Sequence, residues 1–199
     1  LKNIIDGGYK GRIYPVNPGG GEILGLSAYP SLAEVPGAVD LVVVVVPAKF
    51  VPEVMAQAGA KGAKGAVVIT GGFREIGRDD LERQMMEIAA AHGIRVIGPN
   101  CQGINYTASG LCASWPLLTC RGGMAVISQS GTVGAAMGEW AEDEGIGISA
   151  FVSPGNKADL NELDLIEYFS HDPWTKVISL YLEGTSDGRR FMAVCRDRS

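Results

Sequence analysis

The sequence predicts an α/β protein in which parallel strands are wrapped by helices. Apolar, β-branched runs without polar alternation, such as "DLVVVVVPA" and "GAVVITGGF", are typical of strands buried on both faces. Each of these runs is followed by a segment with helical spacing, and alternation of strand and helix predicts a parallel sheet. Glycine, with 28 residues, clusters at the ends of the apolar runs and marks tight turns there.

The first half of the chain opens on the predicted helix "LKNIIDGG", which ends at two glycines. Strands and helices then alternate up to residue 104, which predicts a first domain over residues 1–104. In chain order, the segments are the strand "GRIYPVNP", the strand "DLVVVVVPA", the helix "AKFVPEVMAQAGAKG", the strand "GAVVITGGF", the helix "RDDLERQMMEIAAAHG" and the strand "IRVIGPN".

Residues 105–123 carry Ser, Thr, Gly and Pro without a sustained period, and we predict a linker there. Alternation restarts at residue 124, which predicts a second domain over residues 124–199. Its segments are the strand "MAVISQSG", the helix "TVGAAMGEWAEDEG", the strand "IGISAFVSPGN", the helix "LNELDLIEYFSHD", the strand "KVISLYLEG" and the helix "SDGRRFMAVCRDR".

The chain opens at Leu1 inside a predicted helix, so we expect an earlier strand and its loop upstream. The second domain is likewise expected to continue past Ser199. The sequence is therefore interpreted as a fragment of a longer protein.

The net charge of −5 argues against nucleic acid or an anionic membrane as the main partner. The longest apolar run, residues 41–47, is far shorter than a membrane span. The four cysteines show no metal-ligand spacing and no leader resembles a signal peptide, so we expect reduced thiols, a cytoplasmic location and no metal site.

The residues that follow the predicted strands form the candidate site, because open parallel sheets bind ligands at the carboxyl ends of their strands. They are small and glycine-rich, which suits a large anionic ligand approached by backbone more than proton-transfer chemistry. The candidates are Asn17, Pro18, Pro47, Ala48, Lys49, Thr70, Gly71, Gly72, Asn100, Ser130, Gly131, Thr132 and Glu183.

Most of these motifs are open to two interpretations. The glycine-rich loop after Asn17 is either a phosphate or ribose cradle or a flexible turn. Pro47 either simply ends a strand or forms a rigid apolar lip beside a flat base, with Lys49 near a phosphate. Glu183 is either a hydrogen-bond acceptor for a cationic or imidazole group or an exposed acid at a strand end.

The stretch "SQSGT", residues 128–132, is the sharpest local signal. Its hydroxyl residues precede a predicted helix, whose first N–H groups and dipole favour an anion. The alternative is an ordinary helix cap by Ser130 or Thr132. A cap needs one hydroxyl, whereas this turn carries three and a glycine, so we favour phosphate binding.

His92 and His171 are the only histidines in the sequence. Both lie at the C-termini of predicted helices, where a cation is favourable, and neither follows a strand. We therefore expect neither to act as a catalytic base or a phosphate acceptor.

Six stretches together resemble the nucleoside-diphosphate-forming acyl-CoA synthetases, which include the ADP-forming acetate–CoA ligases and are relatives of the succinyl-CoA synthetase α subunit. The resemblance covers essentially the whole chain, in order. The stretches are "DLVVVVVPA", "VVITGGF", "RVIGPNCQGI", "AVISQSGTVGAA", "SPGNKADLNELDLIEYF" and "LYLEGTSDGRRF".

The resemblance implies a Rossmann-like CoA-binding domain followed by a flavodoxin-like ligase domain, both with parallel sheets and helices on both faces. It implies a reversible reaction in which acyl-CoA, phosphate and ADP give acid, CoA and ATP through an acyl phosphate and a phosphohistidine. CoA, a small carboxylic acid or acyl-CoA, and an ATP-grasp domain or subunit would be the partners, in an oligomer. ATP or ADP and Mg²⁺ would bind to the ATP-grasp part, outside this chain.

The resemblance also implies roles for the candidate residues. The loops at residues 17–18, 47–49 and 70–72, with Asn100, would line the CoA site. Residues 130–132 would open the helix that holds the phosphate of the phosphohistidine, and Glu183 would steady that histidine by a hydrogen bond.

The sequence departs from the family pattern in three places. The family's glycine-rich CoA loop would precede Leu1, and its active histidine lies beyond the strand that leads to Glu183, past Ser199. We therefore expect the fragment alone to be inactive. Gly19 stands where a lysine often follows the Asn-Pro pair, so the phosphate contact of that lysine would be lacking.

Two other functions compete with the synthetase. The first is the catalytically inactive CoA-ligase-like region of a lysine acetyltransferase, which would sense an acyl-CoA. "SQSGT" and "GNKAD" stand here in the form that the synthetases show, which favours the enzyme. The second is a redox-type nucleotide-binding domain, which the absence of a GxGxxG motif from this sequence disfavours.

Overall fold

The computed structural model describes residues 1–185 and 187–197 of the chain. Helices and strands alternate over most of this length, which confirms the α/β class. The helices are α1 (Lys2–Asp6), α2 (Val51–Ala60), α3 (Asp79–His92), α4 (Gly131–Asp143), α5 (Glu162–His171) and α6 (Gly188–Asp197).

Ten strands form three sheets within the described residues. They are β1 (Glu22–Ile23), β2 (Leu26–Ser27), β3 (Leu41–Val44), β4 (Gly65–Val68), β5 (Arg95–Ile97), β6 (Gly103–Tyr106), β7 (Leu111–Ser114), β8 (Arg121–Ser128), β9 (Ile148–Ser153) and β10 (Val177–Tyr181).

The first main sheet is parallel and has the strand order β3-β4-β5. Helices α2 and α3 contact each other and cover one face of this sheet. Their fully buried methionines, Met55 and Met85, share a core with Val44 and Val68. Alternation along each strand therefore sends every second residue to these helices.

The second main sheet has the strand order β10-β8-β9-β6-β7. Strands β10, β8 and β9 are parallel to one another, as predicted. Helix α4 packs on one face, where Phe151 and Val126 join Ala141, and helix α5 packs on the other with Ile166. The expected helices on both faces are present in this sheet.

The prediction of a linker over residues 105–123 is wrong for its first part. Strands β6 and β7 form an antiparallel hairpin that adds to β9, so the second sheet is mixed and not purely parallel. Asn105 is a polar residue buried in β6, so the strand lacks the usual alternation of apolar and polar residues. Its burial is possible because its amide donates to the Pro116 carbonyl at 3.1 Å and accepts from Ser114 Oγ at 2.8 Å. A polar residue satisfied inside the core removes the apolar alternation by which strands are predicted.

The strand predicted in "GRIYPVNP" is also absent from the described structure. In its place Val16 makes a single isolated bridge with Tyr29. Pro15 directly precedes Val16 and Pro18 follows two residues later, and a proline cannot donate to a strand ladder.

Within the described residues, helices α2 and α3 cover one face of the first sheet. Its second face, which carries Val67, belongs to the same core cluster as Ile127 of β8 and Val152 of β9. Helix α1 packs on β7 of the second sheet. The two halves of the chain therefore share a hydrophobic core and are packed against each other. Within the part of the chain that the structure describes, no helix has both the length and the apolar character needed to cross a membrane.

The loop after β9 is paired by backbone hydrogen bonds with the end of β5. Asn156 N–H donates to the Pro99 carbonyl at 2.8 Å, and Ala158 N–H donates to the Gly98 carbonyl at 3.0 Å. Gly155 permits this approach, because a Cβ there would lie 2.4 Å from the Pro99 carbonyl oxygen. This pairing joins the two sheets at the carboxyl ends of their strands, and residues 153–158 are called the junction loop below.

We expect Gly155→Ala to destabilise the chain far more than Gly145→Ala. Both glycines have positive φ, +55° and +67°, but a Cβ on Gly145 would meet open space, whereas one on Gly155 would meet backbone. Gly145→Ala is expected to cost about 1 kcal/mol of strain, and Gly155→Ala about 3 kcal/mol or more. Urea unfolding gives both free energies, and equal losses would contradict the close approach at the junction loop.

Candidate functional site

The loops at the carboxyl ends of β3, β4 and β5 meet at one place. Thr70 Oγ1 donates to the Val46 carbonyl at 2.7 Å, and Asn100 N–H donates to the Thr70 carbonyl at 2.9 Å. A Cβ on Gly72 would lie 3.2 Å from the Cβ of Ala48, so glycine allows the loops after β3 and β4 to touch. The structure thus brings together Ala48, Thr70, Gly72 and Asn100 of the predicted site.

Gly71 lies close to two neighbouring side chains. A Cβ there would lie 2.9 Å from Asn100 Oδ1 and 3.3 Å from Glu75 Oε1. Glu75 in turn accepts hydrogen bonds from the N–H groups of Gly72 and Phe73, the latter at 3.1 Å. The exposed Gly71 backbone is therefore the part of this loop that a ligand could approach closely.

Lys49 and the loop at residues 17–18 contact other partners. Lys49 Nζ lies 4.8 Å from the centroid of the Phe50 ring, in the single 3-10 turn that follows Pro47. Asn17 N–H donates to the Tyr29 carbonyl at 2.9 Å. Among the described residues, no hydrogen bond joins Asn17 or Pro18 to the loops after β3, β4 and β5. The structure does not group these residues with the rest of the predicted CoA-binding set.

Ser130 is the N-cap of α4, and its Oγ accepts from the Val133 N–H at 3.4 Å. The fully buried Ser128 donates its hydroxyl to the Ser130 carbonyl at 2.7 Å. Two of the three hydroxyls of "SQSGT" therefore form hydrogen bonds within the turn and with the first turn of α4. A helix leaves its first N–H groups without an internal partner, and in α4 these belong to Gly131 and Thr132. These N–H groups and the hydroxyl of the exposed Thr132 are the groups that can face an anion.

Gln102 joins the two groups of loops, and sequence reasoning missed it. A Cβ on Gly131 would lie 2.2 Å from Gln102 Cγ, so the glutamine side chain lies directly against the first residue of α4. Gln102 comes two residues after Asn100. The loop after β5 thus reaches from the first group of loops to the start of the candidate phosphate helix.

Glu183 follows β10 and lies beside the "SQSGT" turn. Its backbone N–H donates to Gln129 Oε1 at 3.1 Å, and Gln129 N–H donates to the Tyr181 carbonyl at 2.9 Å. The Glu183 side chain is exposed at the same edge of the sheet. The structure therefore places Glu183 beside Gln129, the residue that directly precedes residues 130–132.

The junction loop contributes two further side chains, Asn156 and Lys157. The Asn156 amide donates to Glu75 Oε2 at 2.7 Å and to Glu82 Oε2 at 3.0 Å. Lys157 Nζ donates to Glu162 Oε2 at 2.9 Å and to the Gly184 carbonyl at 2.8 Å. The sequence feature that could have identified Asn156 and Lys157 is the "GNKAD" motif, because it follows a predicted buried strand, as the other candidate residues do.

The two histidines lie away from this edge. His92 and His171 are the last residues of α3 and α5, and a helix that follows a parallel strand runs back to the opposite edge of the sheet. His171 lines a cleft there with Arg95, the first residue of β5. The geometry agrees with the expectation that neither histidine accepts the phosphate.

Cys101 lies inside the loop after β5 but is not a nucleophile. It is 6% exposed, and its Sγ donates to the Val68 carbonyl at 3.3 Å. Burial raises the pKa of the thiol to about 11, so the thiolate is scarce at neutral pH. Among the described residues, no cluster of three or more His, Cys, Asp or Glu side chains could hold a metal ion.

We expect Glu75→Gln to lower stability at neutral pH and to matter less in acid. Burial acts to raise the pKa of Glu75, but hydrogen bonds from Asn156, Gly72 and Phe73 lower it, and the net pKa lies below the ordinary 4.5. The stabilisation is complete above the unfolded-state pKa and is lost as the pH falls through the lower folded-state pKa.

Urea unfolding of wild type and Glu75→Gln at about pH 7 and about pH 3 checks this expectation. The difference between the two free energies of unfolding should shrink in acid. Glu87→Gln is the matched control, because Glu87 is exposed in an i,i+4 pair with Arg83 at 3.8 Å and should change little at either pH. A difference that grows in acid would contradict the assigned pKa direction.

Two family models match the chain. A CoA binding domain model matches residues 1–107, and a succinyl-CoA ligase like flavodoxin domain model matches residues 121–199. Their order confirms the predicted sequence of a CoA-binding domain and a flavodoxin-like domain.

Relatives of known activity match the whole length of the chain. It is 46% identical to subunit alpha of the ADP-forming acetate–CoA ligase I of Pyrococcus furiosus, over 100% of this chain and 45% of the relative. It is 46% identical to the ADP-forming acetate–CoA ligase of Methanocaldococcus jannaschii, over 100% of this chain and 28% of the relative. The chain thus spans less than half the length of these relatives.

A solved structure also matches. Acetyl-coenzyme A synthetase 1 of Candidatus Korarchaeum cryptofilum, determined in complex with phosphate and ADP, superimposes with a TM-score of 0.93 at 43% identity, over 99% of this chain and 43% of that chain. The family models, the relatives and the fold agree. The chain therefore belongs to the nucleoside-diphosphate-forming acyl-CoA synthetase family, of which it carries the CoA binding domain and the flavodoxin-like domain.

Proposed function

We propose that this chain is the CoA-binding and phosphate-holding part of a nucleoside-diphosphate-forming acyl-CoA synthetase. The whole protein would interconvert acyl-CoA, phosphate and ADP with acid, CoA and ATP. One observation carries the proposal: the loops of the CoA-binding domain meet the N-terminus of α4 through Gln102, beside Glu183. A thioester and a phosphate bound at these two places would be neighbours in one site.

The loops after β3, β4 and β5 would hold CoA by close backbone approach. Gly71 and Gly72 present main chain without side chains, and Asn100 offers a neutral amide beside them. Neutral donors suit the phosphates and the adenine of CoA, because backbone N–H groups in a glycine-rich loop form an anion-binding concavity. Lys49 and residues 17–18 belong to the proposed CoA site by family resemblance, not by grouping in the structure.

The reaction would begin with attack of a phosphate oxygen on the thioester carbonyl carbon. The C–S bond breaks, CoA leaves with its sulfur, and an acyl phosphate forms. A histidine nitrogen of the whole protein then takes the phosphoryl group, and the carboxylic acid leaves as its anion. ADP finally accepts the phosphoryl group to give ATP, and the histidine is restored.

The residues of this chain would stabilise charge in these steps. The N–H groups of Gly131 and Thr132, with the Thr132 hydroxyl, would bind the phosphoryl oxygens at the positive end of α4. The Glu183 carboxylate would accept the N–H of the imidazole nitrogen that is not phosphorylated. That contact fixes the tautomer and stabilises the positive charge that the ring gains when its other nitrogen takes the phosphoryl group.

The named relatives favour this enzyme over the acetyltransferase-linked sensor, because they are ligases and one of them is an alpha subunit. We infer an ATP-grasp β-type domain or subunit as the partner that binds ATP or ADP with Mg²⁺, in an oligomer. We also place the protein in the cytoplasm, since Cys101, Cys112, Cys120 and Cys195 are free thiols.

We expect the full-length protein to form a phosphohistidine when it is incubated with γ-labelled ATP and Mg²⁺. The adduct should be labile in acid and stable in base, because the N–P bond breaks when the nitrogen is protonated. CoA together with acetate, or with another acid that the enzyme accepts, should discharge the label. Absence of such an adduct on the intact protein would overturn the proposed function.

Glu183→Gln in the full-length protein should slow phosphoryl transfer by about 10²-fold, because it removes a preorganised charge at the reacting group. The affinity for CoA should stay near that of the wild type. Rapid-quench labelling and CoA titration measure the two quantities separately. Glu167→Gln, an exposed site on α5 at the far edge of the sheet, is the control, and equal loss of both quantities in Glu183→Gln would indicate a folding role.

A further inference from the structure

Lys157 carries a buried charge that the proposed chemistry leaves unused. Its side chain is 14% exposed and that of its partner Glu162 is 1% exposed, with Nζ and Oε2 2.9 Å apart. Burial acts to raise the pKa of Glu162, but the Thr185 hydroxyl and the Lys157 ammonium lower it below the ordinary value. Glu162 is thus a carboxylate, and the buried pair is ionic.

The same ammonium reaches the segment that carries Glu183. Lys157 Nζ donates to the Gly184 carbonyl at 2.8 Å, on the C-terminal side of Glu183. On the N-terminal side, the Glu183 N–H donates to Gln129 Oε1 at 3.1 Å. Two side chains from the loops after β8 and β9 therefore hold the peptide group that precedes Glu183 and the peptide group that follows Gly184.

The backbone of Lys157 is shaped for this reach. Lys157 has φ +55°, a left-handed conformation that non-glycine residues seldom adopt. The preceding residue, Asn156, is held by Glu75 and Glu82 of the first domain. Lys157 thus extends toward Gly184 from the junction loop, while the neighbouring Asn156 holds that loop to the first domain.

A buried ion pair is a costly way to obtain stability alone, because apolar residues of similar volume often stabilise a fold as well or better. An ion pair does, however, hold its two side chains in one geometry. In this geometry the Lys157 ammonium also contacts the carbonyl of Gly184, the residue after Glu183. Gly184 has no neighbouring atoms where its Cβ would be, so packing of a side chain at 184 cannot fix this segment.

We propose that Lys157 is a positioning residue for Glu183, and that the Glu162 carboxylate holds the lysine ammonium against the Gly184 carbonyl so that the Glu183 side chain stays at the phosphate end of α4. This inference rests on the proposed function of Glu183 in phosphoryl transfer. Lys157 itself touches no reacting atom in this scheme.

The test uses the full-length protein and compares Lys157→Met with Lys157→Met/Glu162→Gln. The single variant leaves a buried carboxylate without its cation, which destabilises the fold in its own right. The double variant removes both charges and keeps the volume, so it separates positioning from stability. Lys64→Met, at an exposed lysine near the start of β4, is the matched control.

In the double variant we expect the melting temperature and the CoA dissociation constant to stay near those of the wild type. The rate of phosphohistidine formation from labelled ATP should fall by about tenfold or more, as for loss of other residues that orient a catalytic group. Lys64→Met should match the wild type in all three measurements.

A double variant that transfers phosphate at the wild-type rate overturns the inference, because the pair would then be a structural element only. Loss of the folded state in both Lys157 variants, seen by circular dichroism, overturns it as well. These results are distinct from failure of the proposed function, in which the wild-type protein itself takes no label.

Discussion

The pairing of two loop backbones at the carboxyl ends of β5 and β9 is the constraint on which the rest of the site depends. Asn156 and Ala158 donate to the carbonyls of Pro99 and Gly98, and Gly155 admits the contact where a Cβ would lie 2.4 Å from a carbonyl oxygen. Each such hydrogen bond is worth only about 1 kcal/mol. Their importance lies in register, since they fix the first sheet against the second at the edge where ligands of parallel sheets bind.

Adjacent residues of the junction loop hold the two halves of the site. Asn156 bonds to Glu75 and Glu82, next to the glycines of the proposed CoA site. Lys157 bonds to the carbonyl of Gly184, next to Glu183. A displacement of this loop would therefore move the proposed thioester-binding loops and the proposed phosphate-binding end of α4 relative to each other. A misplacement of about 1 Å costs about 10²-fold in rate.

The sequence could predict the parallel strands, because strands buried on both faces are apolar without alternation. It could also predict that residues after those strands, such as Thr70 and Asn100, lie together. It could not predict the hairpin of β6 and β7, because Asn105 is buried with its amide satisfied by Pro116 and Ser114. Gln102 was missed for another reason: its contact with Gly131 joins residues 29 positions apart, and only the packing of the two sheets creates it. The roles of Ser128 and Ser130 in the turn likewise depend on hydrogen-bond geometry.

The central claim is that two sheets, joined at the junction loop, present one continuous site for a CoA thioester and a phosphate. A crystal structure of the intact protein with CoA and phosphate tests it most directly. The CoA should run along the loops after β3, β4 and β5, with its thiol directed past Gln102, and phosphate should lie on the N–H groups of Gly131 and Thr132 beside Glu183. CoA bound at another face, or phosphate bound away from the N-terminus of α4, would contradict the claim.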